Sequence, residues 1–123
     1  EVVVGPEPIT GSTRMKSALA QKMMLTMIST AAMVRWGKVY GNLMVDVAPT
    51  SAKLRERAKG LVMHLGGVDY EAAARLLEEA RWRVKPAVLM AVRGWDLPRA
   101  EERLERAQGL LRRALETDEE QES

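Results

Sequence analysis

The chain contains no cysteine, a single histidine and only 4% aromatic residues. The first absence excludes disulfides, thiolate metal sites and a cysteine nucleophile together. The second leaves His64 without a histidine partner, which argues against a zinc site or a catalytic triad within the chain. No metal and no cofactor are expected. A membrane span is lacking too. The apolar stretch from Leu19 to Val34 is broken by Gln21, Lys22, Thr26, Ser29 and Thr30, short of the roughly 18 near-continuous apolar residues a span requires. That stretch follows a polar loop rather than a basic start, against a secretory signal. The expectation is a cytoplasmic protein with no membrane partner.

What is present is the balance of a folded protein: 123 residues, 46% hydrophobic and 29% charged. That length suits one domain, or a domain piece with an appendage, and not a complete two-domain enzyme. The net charge of +2 is unevenly spread, with nine Lys/Arg against four Asp/Glu in residues 1–66 and ten against thirteen in residues 67–123. The basic first part suits an anionic ligand. It is too mildly charged and too poor in aromatics to imply nucleic acid.

The chain begins at Glu1 and passes directly into Val2, Val3 and Val4, a run that reads as a buried parallel strand. A lone parallel strand has no sheet to join, so the expectation is the later portion of a larger protein. The loop GPEPITGSTRMK follows. Gly5 and Pro6 break the backbone, and Ser12 or Thr13 is expected to cap a helix running from Thr13 to about Arg35. Its apolar stripe comprises Met15, Ala18, Leu19, Met23, Met27, Ile28, Ala31 and Val34, expected in a core or a subunit interface together with Met24 and Met33. Arg14 and Lys16 fall in the first turns, where outward backbone amides favour an anion. Two readings stay open: Ser12, Thr13, Arg14 and Lys16 hold an anion, or the first two cap and the cations are solvated. Glu7 likewise either contacts a ligand or bonds to amides of the Thr10–Thr13 turn.

Gly37 fits a helix stop. Residues 38–50 read as irregular, anchored by Leu43, Met44, Val45 and Val47. A second helix opens near Thr50 or Ser51 and ends at Gly66 and Gly67, with His64 late in it as a solvated or capping side chain. Three further helices are expected: one capped by Asp69, one over residues 84–93, and one from Asp96 to about Leu115 with Pro98 in its first turn. Trp82 and Trp95 are candidate packing or oligomerisation contacts of this unit, with ordinary core burial the stronger expectation for both. The acidic end, residues 116–123, is expected to be disordered.

The strings GPE, TGSTRMK and YGNLMVDV closely resemble the C-terminal part of the N-acetylmuramic acid 6-phosphate etherase family. That family lies within the sugar isomerase (SIS) superfamily, which also includes the glucokinase regulatory protein. The resemblance is strong over about residues 4–58 and weaker to residue 92. It implies an α/β SIS-domain fragment over residues 1–66, one parallel strand plus a long helix. A three-helix tail similar to a ubiquitin-associated domain would follow over residues 67–115. It further implies cleavage of a lactyl ether by an acid/base pair of glutamates lying upstream of this segment, so the segment alone has no catalytic residue. Glu7, Ser12, Thr13, Arg14 and Lys16 would contact a sugar 6-phosphate, within a homodimer. Two departures stand out: Ser17, Ala18 and Leu19 replace a glycine-containing segment, and Arg81, Trp82 and Arg83 replace a glycine-asparagine turn. The competing classes are a non-catalytic sugar-phosphate regulator and an independent helical interaction module.

Overall fold

A computed structural model describes residues 1–9, 11 and 14–116. The chain divides into two compact units, Glu1–Arg35 and the part from Trp36 onward. The first is dominated by α1, Met15–Arg35. Arg14 stands at its N-cap position, its carbonyl accepting from the Ala18 amide at 2.8 Å. None of the 21 residues of α1 is buried. The expected stripe forms, but its side chains stay exposed: Leu19 is 60% exposed and Met27 66%. Val2–Val4 form no strand, and Val3 is 84% exposed. A β-strand is a hydrogen-bonded partnership, and among the described residues no strand pairs with these valines.

The second unit opens with a hairpin, where the sequence suggests irregular chain. Strands β1 (Val39–Tyr40) and β2 (Leu43–Met44) pair antiparallel, Val39 opposite Met44 and Tyr40 opposite Leu43. The two-residue connection starts with Gly41 at φ 60°, the left-handed position such tight turns reserve for glycine. Val45 then enters the core at 1% exposure.

Four helices of this unit take the expected places. Helix α2, Ala52–Gly66, is capped by Ser51 Oγ accepting from the Leu54 amide, and ends at left-handed Gly67. Asp69 caps α3, Tyr70–Glu79, through the Ala72 amide at 2.8 Å. Helix α4, Val84–Arg93, ends at left-handed Gly94. Asp96 caps α5, Leu97–Arg106, through the Arg99 amide at 3.1 Å. The tail departs from three helices at its end. Gln108 (φ 57°) and Gly109 (φ 74°) turn the chain, and a separate α6, Leu111–Glu116, follows. The Gly109 amide bonds back to Leu104 and that of Gln108 to Glu105, the paired reverse bonds of a Schellman stop.

Helix α4 is the hub, packing on α2, α3, α5 and α6. It buries Val84, Pro86, Ala87, Val88, Leu89 and Met90, as expected of a helix apolar on nearly every side. Pro86 is tolerated because first-turn amides have no intrahelical partner to lose. Ala58, Leu61 and Val62 of α2 join the same cluster as Ala73 and Leu77 of α3, so α2 is an integral wall of this core. Gly66 makes the approach possible: a Cβ there would stand 2.6 Å from that of Ala91.

Between α3 and α4 the chain turns through Arg81 (φ 55°) and Trp82 (φ 60°), both left-handed. The Trp82 amide bonds to the Leu77 carbonyl at 2.6 Å and the Arg81 amide to that of Glu78 at 3.1 Å. This is again a Schellman stop, with arginine where glycine is favoured. Trp82 packs against the core, while Arg55 stacks over its ring at 5.0 Å.

Candidate functional site

The geometry of the GPE loop follows from the start of α1. A helix presents unpaired amides in its first turn, and a capping side chain accepts from the second or third of them. Arginine at the N-cap has donors and no acceptor, so Arg14 cannot do this. Glu7 does it from the loop. Its Oε2 accepts from the Lys16 amide at 3.0 Å, and its Oε1 accepts from the Ser17 amide at 3.1 Å and the Ser17 hydroxyl at 2.9 Å. These bonds hold the Glu7 carboxyl below the ordinary glutamate value, the Lys16 amide contributing most and the Ser17 amide next.

Glu7 is therefore bonded to helix amides, at Lys16 and Ser17; of the Thr10–Thr13 turn, Thr10, Ser12 and Thr13 lie outside the described residues. The sequence carries no local sign of this, because a cap is ordinarily sought next to the helix it closes. Arg14 and Lys16 are exposed. They sit two residues apart, at the N-cap and in the first turn of α1. Ser12 and Thr13, expected as cap or anion ligands, lie outside the described residues, as do residues 117–123 of the acidic end.

Elsewhere the structure offers less. In the second unit a cleft of about 180 Å³ is lined by Asp46, Arg83, Lys85 and Leu104 among others. Its cations are engaged: Lys85 Nζ donates to the Gly109 carbonyl at 3.0 Å, and Arg83 pairs with Glu101. His64 is exposed near the end of α2. Trp95 is half-buried under the Arg99 guanidinium, 4.9 Å from its ring. Among the described residues no group of three or more His, Asp or Glu side chains could hold a metal. Among the same residues no helix is long and apolar enough to cross a membrane.

No family model matches the chain. Individual relatives do. The N-acetylmuramic acid 6-phosphate etherases of Salmonella paratyphi B, Salmonella schwarzengrund and Salmonella enteritidis are each 55% identical to it over 114 residues. The chain is similar to the C-terminal portion of these etherases. The match takes in 93% of this chain and 38% of each relative, so the chain spans well under half the length of the curated etherases it matches. Agreement across 114 residues extends beyond the GPE and TGSTRMK strings into the helical tail, which those motifs alone left weakly supported.

Proposed function

We propose that this chain is the C-terminal segment of an N-acetylmuramic acid 6-phosphate etherase, acting in cell-wall amino sugar recycling in the cytoplasm. The observation that carries the reading is the 55% identity sustained over 93% of the chain. The reaction cleaves the lactyl ether. A carboxylate removes the proton beside the sugar carbonyl, and the electron pair forms a carbon–carbon double bond as lactate departs, its oxygen protonated by the acid partner. Water then adds to the unsaturated sugar, giving N-acetylglucosamine 6-phosphate and D-lactate. The two glutamates belong to family motifs absent from this sequence, so the segment's part is support and substrate contact.

Within it, Arg14 and Lys16 are assigned to the sugar phosphate, with Ser12 and Thr13 beside them. Glu7 has room for one further bond at most. An ionised carboxylate has about four acceptor positions, and the helix takes three of Glu7's. Among the described residues the second position on Oε2 has no donor, and it suits a sugar hydroxyl. No metal, cofactor or nucleic acid is required. Residues 1–66 are assigned to the end of an SIS domain and 67–115 to a tail similar to a ubiquitin-associated domain, with α2 shared between the two. The apolar surface of α1 suits the remainder of such a domain and a homodimer interface.

A second reading, an independent helical interaction module, is favoured by the self-contained core from Val45 to Ala114. The deciding experiment exchanges the 114 matching residues of the Salmonella paratyphi B etherase for this chain and measures lactate release from N-acetylmuramic acid 6-phosphate. Lactate formation by the chimera is expected. A folded chimera without it would favour the module.

A further inference from the structure

The loop carboxylate has a second role that its assignment as a ligand does not supply. We propose that Glu7 is a positioning residue, whose carboxylate caps α1 in place of Arg14 and thereby fixes the directions in which Arg14 and Lys16 leave the backbone. Helix α1 begins at Met15. Its second and third amides, those of Lys16 and Ser17, are the ones a local cap would take. Both go to Glu7, nine and ten residues earlier in the chain.

The contact closes the loop onto the helix it leads into. Without it the first turn frays, and the two cations are carried on backbone of no fixed direction. Glu7 also places a negative charge on the positive end of α1. An incoming anion therefore meets the two side chains rather than the helix amides. That these cations serve a sugar phosphate rests on the etherase reading; the capping geometry does not.

The test has two arms. In the chain itself, the amide resonances of Lys16 and Ser17 are followed by NMR from neutral to acid pH, with Glu7→Gln and Glu7→Ala beside the parent. In the chimera, kcat and KM are measured for the same three forms. Both amides should follow a single titration below the ordinary glutamate range, absent from either variant. Glu7→Ala should raise KM by roughly five-fold, the scale of a typical lost cap, with a smaller change in kcat. Glu7→Gln, which keeps one acceptor oxygen, should recover part of the loss.

Amides that ignore the carboxylate titration would overturn the proposal. So would an unchanged KM in Glu7→Ala, or a raised KM with both amide resonances left in place, which would make Glu7 a direct ligand. A parent chimera that releases no lactate overturns the etherase reading alone, and the amide titration then decides the cap.

Discussion

Arg81 offers the sharpest test of how this chain was fitted to its fold. It closes α3 at φ 55°, and a side chain in left-handed backbone costs about 1–2 kcal/mol through the clash of Cβ with the following carbonyl. Its side chain is exposed. Arg81→Gly keeps the amide bond to Glu78 and removes that clash, while the more flexible glycine costs roughly 0.5–1 kcal/mol on folding. The difference predicts a net stabilisation of about 0.5–1 kcal/mol, or a rise in Tm of roughly 2–8 °C for a unit of this size. Thermal unfolding followed by far-UV circular dichroism, with urea midpoints as a second reading, measures it. Gly94→Ala is the matched control. Gly94 is left-handed at φ 66° with open space around a Cβ, so the substitution should destabilise by about 0.5–1 kcal/mol, the backbone strain less the folding entropy that alanine saves. If Arg81→Gly lowers Tm while Gly94→Ala behaves as expected, the backbone argument is wrong at this turn. The arginine side chain would then be contributing more than its conformation costs.

Further tests address other links in the structure. Gly66→Ala should destabilise by about 1–3 kcal/mol despite alanine's better helix propensity, because the new methyl meets Ala91 across the α2/α4 contact; denaturant titration gives the value, and a neutral result would mean that the helices separate freely. The cluster of Glu56, Lys59 and Tyr70 ties α2 to α3, with Lys59 Nζ 2.7 Å from both partners. The Lys59 bond chiefly, then the Tyr70 bond, lowers the Glu56 carboxyl, so its stabilisation is complete above the ordinary glutamate value and disappears as pH falls through the lowered one. Lys59 is raised, first by Glu56 and then by Tyr70; its contribution is complete below the ordinary lysine value and is lost as pH rises through the raised one. Glu56→Gln should flatten the acid side of the stability profile, and an unchanged profile would remove the cluster from the pH response.

Much of the second unit could be read directly because its signals are local. Ser51, Asp69 and Asp96 each accept from an amide three residues ahead, and a cap of that kind is written in adjacent sequence. The ends of α2 and α4 fall before Gly67 and Gly94 for the same reason. The break after α5 was signalled by Gly109 and yet passes for continuous helix, since apolar periodicity resumes at Leu111. The hairpin was signalled by Gly41 and Asn42, but two-residue strands are too short to show alternation.

The sequence by itself determined the punctuation of α2, α3 and α4, the apolar stripe of α1 and the etherase resemblance, because caps, periodicity and motif strings depend on neighbours along the chain. Tertiary structure decided what those features do. Among the described residues Val2–Val4 have strand chemistry without a partner strand, and the apolar side chains of the α1 stripe stay exposed, since burial depends on what else is present in space. At Glu7 the order reverses. Beside Arg14 the sequence points to Ser12 or Thr13 as the cap of α1; only folding the loop back brings the Glu7 carboxylate to the Lys16 and Ser17 amides, and hydrogen bonds answer to distance in space rather than to position in the chain.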